Sequence, residues 1–431
     1  MLKYTKGDLM KKNKYWHKLD NAAKVFPSVS KFNRSNVFRL SFYLNIIEID
    51  KDILKKAVLE SLDRFEVFKV KLNNGFFWNY FSENKKDIII EEEKGIVCKY
   101  FKFNKNNDYL FKIYYYKNKI SLETFHALTD GTGALIFLKT IIYKYFTLLN
   151  YDINSNNEIL GLLPSSNKEL EDSFKTNYNP KNKLKMKEEK AYHVKGETFK
   201  NNFSLIIKLI LDTNKFKSIA DKYKITVTEY ICSILAYSII NEGINIDKPI
   251  KLFIPVNLRK FFNSHTLKNF SLYIKSTYHK NEFNSLEEYF NHTKLEFNNQ
   301  LNKELLQKRI SSLVGIEKNL FIRITPLFIK NIFFKIGYNL LGESINTSSI
   351  SNLGIVSFPN DLSKFINDID FINSGNQINL TILSYNNKTN ITFNTPFKDL
   401  SIINFFIKEL QKENLDILIK TNHQEGYDET L

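Results

Sequence analysis

The chain has 431 residues, 43% of them hydrophobic and 14% aromatic, which is long enough for two or three domain-sized units and too apolar for a disordered chain. Its 62 Lys and Arg against 46 Asp and Glu give a net charge of +16, an invitation to a polyanionic partner. Only six of those cations are Arg, the residue suited to bidentate phosphate and base contacts, and the Lys excess travels with Asn, Ile, Phe and Tyr as in an AT-rich coding bias, so a dedicated nucleic-acid role is set aside.

The N-terminus lacks the apolar core of a signal peptide, and no apolar run approaches 18 residues; the stretch 231–240 carries Ser and Cys and stops at Asn241. A cytoplasmic protein without a transmembrane segment is expected. Cys98 and Cys232 lie far apart with no CxxC partner, which excludes a zinc ribbon and fits a reducing compartment. His17, His193, His265, His279, His292 and His423 form no metal-ligand spacing.

In chain order, 36–44 has strand composition. Asp50 is placed to cap a helix over 51–64, where Ile53, Leu54, Ala57, Val58 and Leu62 recur at helical spacing. Extended segments are expected at 68–72 and 75–81, then a hairpin of 109–116 and 120–126 around a Lys117-Asn118-Lys119 turn. A long amphipathic helix starts near Asp130, with Ala134, Leu138, Ile141, Ile142, Tyr145 and Leu149 on one stripe. Between about 174 and 200 the pattern fails in a polar, Lys-rich stretch containing Pro180, read as an exposed crossover. The second half resumes with a strand at 204–211, a helix capped by Asp212, and a helix opened by the capping-box pair Thr226 and Glu229 and closed near Gly243. A strand at 250–256 ends in Asn257-Leu258-Arg259. Helices are expected over 284–341, a strand at 349–354, paired strands at 377–385 and 389–394, a helix at 400–413, and a loose tail from Thr421. The segment 326–341 mixes bulky apolar residues with Lys; a core-facing helix with solvated lysines is the expectation, contact with a membrane surface or a lipidic acyl chain the alternative.

One segment carries chemistry. Ile120, Leu122, Thr124 and His126 share one face of a strand, and the imidazole at its end stands four residues before Asp130-Gly131, where a helix opens. A strand-end His with an ordinary pKa near 6.5 suits a general base, although such a His also serves as a packing or capping residue. There is no GxSxG, GxxxxGK[ST], helix-opening GxGxxG or HExxH.

His126-Ala127-Leu128-Thr129-Asp130-Gly131 resembles the HxxxDG signature of the CoA-dependent acyltransferase superfamily, which includes chloramphenicol acetyltransferase, carrier-protein condensation domains and alcohol acetyltransferases. The run YWHKLDNAAKVFP at 15–27 resembles the opening of the bacterial alcohol acetyltransferase-like branch. IPVNLR at 254–259, followed by LKNFS at 267–271, resembles its second-half strand and loop, and SNLG at 351–354 a late element. Many members carry two adjacent His residues; here the first position is Phe125, which by strand alternation faces away from His126.

The resemblance implies an α/β fold of two chloramphenicol-acetyltransferase-like subdomains with mixed sheets and an active-site tunnel between them: residues 1–175, an exposed crossover linker at 176–200, and residues 201–431. It implies direct acyl transfer with His126 as the catalytic base. Asp130 and Gly131 are then structural, Asp130 pairing with an Arg from the other half: Arg259, with Arg323 as runner-up. Asn269, Ser351 and Asn352 are candidates for the tunnel lining or a hydrogen bond near the reacting carbonyl, against a loop cap and a strand-end turn. The implied co-substrate is acyl-CoA, acetyl-CoA first, without a metal. The implied partner is a small-molecule alcohol or amine, with an acyl carrier protein as alternative donor and a catalytically silent binding protein as the non-enzymatic alternative. A monomer is the default.

Overall fold

A computed structural model of the chain describes residues 16–100, 102–181, 188–200 and 203–422. Tyr15, the middle of the expected crossover, His423 and the tail beyond 422 lie outside them. The chain builds two mixed sheets, each covered by helices, and a small third sheet.

The first large sheet has five strands in the order Ile366–Asn373, Val37–Leu44, Lys119–Phe125, Phe111–Tyr116, Ile90–Glu92. All neighbours are antiparallel except the last pair. Two helices cover it, Lys51–Arg64 and Gly131–Leu148. Asp50 caps the first by accepting from the N–H groups of Asp52 and Ile53. The stripes Leu54/Ala57/Val58 and Phe137/Leu138/Ile141 sink into one core with the strands.

The second sheet has seven strands in the order Ser271–Tyr278, Ile250–Asn257, Ser348–Ile355, Asn379–Tyr385, Lys388–Thr395, Leu205–Asp212, Leu418–Thr421. Its covering helices include Val227–Glu242, opened by the Thr226/Glu229 capping box, and Leu286–Gln300. The strand Ser348–Ile355 runs parallel to both neighbours, yet its pairing with Ile250–Asn257 covers only Ser348 and Ser349. Beyond Ser349 the two strands part.

The expected division at 176–200 and 201–431 needs two corrections. The strand Ile366–Asn373 belongs to the second half in sequence but completes the first sheet by pairing with Val37–Leu44. The far end of the crossover is not exposed: Ala191, Tyr192 and Val194 are buried, and Tyr192 donates its N–H to the Pro249 carbonyl. The sheets are also stitched together by ions, since buried Lys208 of the second pairs with Asp368 and Asp370 on the crossing strand.

A third correction concerns 75–81, where the aromatic run reads as a strand. The small sheet is Trp16–Lys18, Asn79–Glu83, Val70–Asn74, and Gly75–Trp78 forms the turn, closed by Gly75 N–H donating to the Trp78 carbonyl at 3.1 Å. Phe76 and Phe77 therefore stand exposed at a hairpin tip. A fourth is the helix Leu327–Leu341, which turns Phe328, Ile332, Phe333, Ile336 and Leu340 outward while Leu327 and Lys330 are buried.

Candidate functional site

His126 follows directly on the strand Lys119–Phe125, its N–H bonded to the Asn36 carbonyl. The strand fixes the backbone, and aromatic rings fix the imidazole. Phe26 stacks on it at 4.8 Å between centroids, and Phe38 meets it edge-on at 5.3 Å. Phe125 points the other way, into the core against Phe103.

The ring's chemistry is set by what holds Nδ1, which lies 2.9 Å from Oδ1 of Asn269. The Asn269 amide is itself oriented by Asp20: its Nδ2 donates to Asp20 Oδ2 at 3.1 Å, and its backbone N–H donates to the same oxygen at 3.2 Å. The other Asp20 oxygen accepts from the Ala23 N–H at 2.8 Å. An ionised carboxylate accepts only, so the NH₂ end of Asn269 faces Asp20 and its oxygen faces His126. Nδ1 must then carry the proton, and Nε2 keeps a free lone pair.

Burial lowers the His126 pKa below its ordinary 6.5, only partly offset by its own main chain, the Asp130 charge and Asn269. The imidazole is therefore neutral at physiological pH, as a base must be. Burial, reinforced by Asp172, raises the Asp20 carboxyl to about 6 against the Ala23 and Asn269 hydrogen bonds.

Asp130 caps the helix Gly131–Leu148, accepting from the Gly133 N–H at 3.1 Å. Its carboxylate is gripped by Arg259 through two bonds, 2.8 Å from Nη1 to Oδ2 and 3.0 Å from Nη2 to Oδ1, and by the Phe270 N–H at 3.0 Å. Burial opposes ionisation here, but Arg259 and the two N–H groups outweigh it and hold the carboxyl below its usual range. Arg259 also donates to the carbonyls of Thr266 and Lys268. One guanidinium thus shapes the loop that delivers Asn269 to His126. Arg323 takes no part in this ion pair; it lies in the short helix Leu320–Ile324, beside a separate cavity.

The first turn of the motif helix sits where the strands Ile250–Asn257 and Ser348–Ile355 part. Asn257 donates to the Thr132 hydroxyl at 3.2 Å, and a Cβ on Gly131 would come within 2.9 Å of Leu353 Cδ2. Gly131 permits that close approach. Gly133 is more constrained, since a Cβ there would collide with the Thr129 hydroxyl and the Leu267 carbonyl.

Leu353 is the side chain beside the motif, and the pairing register of its strand shifts between Asn352 and Ile355. Asn352 donates to Thr228 at 2.9 Å and accepts from the Gly354 N–H at 2.7 Å. Among the described residues no hydrogen bond joins Ser351 or Asn352 to His126. A cavity of about 820 Å³ opens beside the 16–26 segment, lined among others by Trp16, Leu19, Lys24, Trp78 and Arg323; His126 is not part of its lining. No group of three or more His, Cys, Asp or Glu able to hold a metal occurs among the described residues.

The structure thus gathers His126, Asn269, Asp130 and Arg259 into one bonded unit and adds Asp20, Phe26 and Gly133. Asp20 leaves only a weak trace in the sequence, as the one carboxylate in the run LDNAAKVF, where Lys24 is the one cation.

Two helix-covered mixed sheets, the first completed by a strand from the second half of the chain, thus meet beside a strand-end His. No protein-family model matches the chain, and no curated protein matches it in sequence. Solved structures do match in fold. Trichothecene 15-O-acetyltransferase of Fusarium sporotrichioides aligns with TM-score 0.58 at 10% identity, over 93% of this chain and 97% of its own. TRI101 of F. graminearum, complexed with coenzyme A and T-2 mycotoxin, aligns with TM-score 0.59 at 10% identity, over 94% of this chain and 100% of its own. The starter condensation domain of rhizomide synthetase RzmA, in complex with C8-CoA and Leu-SNAC, aligns with TM-score 0.58 at 10% identity, over 92% and 94%. The chain shares its fold with these acetyltransferases and this condensation domain.

Proposed function

We propose that this protein is an acyltransferase that moves an acyl group, acetyl first, from acyl-CoA directly to the hydroxyl or amine of a small-molecule acceptor. The observation that carries this is the contact of His126 Nδ1 with Asn269, whose amide is oriented by Asp20; it leaves Nε2 to act as the base. Nε2 takes the acceptor's proton as its oxygen or nitrogen attacks the thioester carbonyl, and returns a proton to the leaving thiolate. General-base catalysis of this kind supplies about 10²–10⁴-fold. The tetrahedral oxyanion needs a donor, and Ser351 is the candidate, since the neighbouring Asn352 side chain is engaged by Thr228 and Gly354. The parting of the strands beside the motif is the place we assign to the expected tunnel. Fold relatives crystallised with coenzyme A or C8-CoA support an acyl-CoA donor.

The test is thiol release from acetyl-CoA and longer acyl-CoAs against a panel of alcohols and amines. Acceptor-dependent release supports the proposal. Transfer from a loaded carrier protein but from no acyl-CoA replaces the donor, and tight ligand binding without turnover on any thioester overturns the activity.

Asp20→Asn tests the orientation of the base. Both Asp20 oxygens accept from N–H donors, so an Asn there must turn its NH₂ on one of them. The Asn269 amide then loses its fixed sense and His126 its fixed tautomer. The expected result is a fall in kcat of about 10- to 100-fold, a part of the general-base contribution, with KM for both substrates nearly unchanged. A change confined to KM would remove Asp20 from this role.

A further inference from the structure

We propose that the face built by the helices Leu320–Ile324 and Leu327–Leu341 together with the Phe76–Phe77 hairpin tip docks the protein on an anionic lipid bilayer. Phe328, Ile332 and Ile336 recur every fourth residue along the longer helix, with Phe333 beside them, and all four are exposed. Phe321 is 77% exposed, Phe76 72% and Phe328 69%. Such values belong to no packed face, and among the described residues no segment covers them. Contiguous apolar surface of this kind marks an interaction site.

The face is preformed. Lys330 lies 3.6 Å from the Trp78 ring centroid and donates to the carbonyls of Phe77 and Arg323, and the Leu327 N–H donates to the Phe76 carbonyl at 2.8 Å. These contacts lock the hairpin tip to both helices, so the aromatic residues stand out together.

Charge selects the occupant. From 318 to 342 there is no Asp or Glu, while Lys318, Arg323 and Lys335 are exposed. Glu317, at the border, is already neutralised by Lys24 and Lys175. Apolar residues interleaved with cations and free of acids are the signature of an interfacial helix on anionic headgroups. A second copy of this chain fits poorly, because an isologous contact sets the same cations against one another. The longer helix has 15 residues, about 22 Å at 1.5 Å per residue, and no described helix is long and apolar enough to cross a membrane. It therefore lies on a bilayer rather than through it. Trp78 and Arg323 also line the 820 Å³ cavity, so docking sets the mouth of that cavity against the lipid. The proposal does not depend on the assigned activity.

The experiment is flotation of the full chain with vesicles of phosphatidylcholine alone and of phosphatidylcholine mixed with phosphatidylglycerol. The wild type is expected to float with the mixed vesicles, and the Phe328→Glu/Phe333→Glu double variant to lose at least about tenfold in partitioning at an unchanged thermal midpoint. Lys318→Glu/Lys335→Glu should abolish the preference for the anionic vesicles. No flotation of the wild type, or equal flotation of the apolar double variant, overturns the proposal. So does concentration-dependent dimerisation that the double variant removes, which assigns the face to a second copy, or saturable binding of an acidic polypeptide in place of vesicles.

Discussion

His126→Ala is expected to abolish thiol release to within the background, a loss of about 10²–10⁴-fold, while the protein stays folded. The ring contributes to packing through Phe26 and Phe38, and aromatic pairs of this kind are worth about 0.5–1.5 kcal/mol. A thermal midpoint lowered by a few degrees is therefore compatible with the role, and unfolding is not. The pH profile separates a base from a packing residue. Burial depresses the His126 pKa below 6.5, so wild-type kcat/KM should rise with pH along a limb centred below that value and be flat through neutrality. In the variant the residual rate should lack this limb. A variant as active as the wild type, or one retaining the same acid limb, removes His126 from the proton transfer.

Much of this site rests on short-range signals that a sequence displays. The helices 51–64 and 131–148 and the Thr226/Glu229 box are local objects: a cap, a 3.6-residue stripe and a stop, all within a few turns. The strand–His–helix arrangement at 120–131 is local too. The fold's closure is not. The strand Ile366–Asn373 pairs with Val37–Leu44 across more than 300 residues, and its acidic positions Asp368 and Asp370 look solvated until Lys208 is brought opposite them. Asp20 meets Asn269 across 249 residues, and nothing near either residue announces the other. The helix at 327–341 illustrates a further limit. Helical spacing of apolar residues identifies a stripe, but which side of the helix is covered depends on neighbours that periodicity does not name. The tip at Phe76–Phe77 fails for a related reason, since aromatic residues favour strands whether or not the backbone is about to turn.

Arg259→Ala is expected to cost stability on the order of 3–5 kcal/mol, the range for removing one partner of a buried ion pair, because Asp130 and Arg259 are both nearly inaccessible to water. The Phe270 and Gly133 N–H groups remain on the carboxylate, which places the value towards the lower end. Loss of the guanidinium also frees the carbonyls of Thr266 and Lys268, so the loop carrying Asn269 loses its scaffold and turnover falls with stability. Proton linkage gives a signature that a general loosening would not. In the wild type the folded Asp130 pKa is depressed; that contribution is full above the unfolded carboxyl pKa and is lost as pH falls through the folded value. Without Arg259 the carboxylate is buried with too few donors, its folded pKa moves above the unfolded one, and acidification from neutrality stabilises the variant. The gap between variant and wild type in urea unfolding should therefore narrow from pH 7 towards pH 5. Removing Asp130 as well, by Asp130→Ala in the Arg259→Ala background, should cost less than the sum of the two single changes, since no unpaired charge is left behind. A pH-independent gap together with additive losses would mean that Arg259 supports the loop through its carbonyl bonds alone, with the carboxylate a bystander.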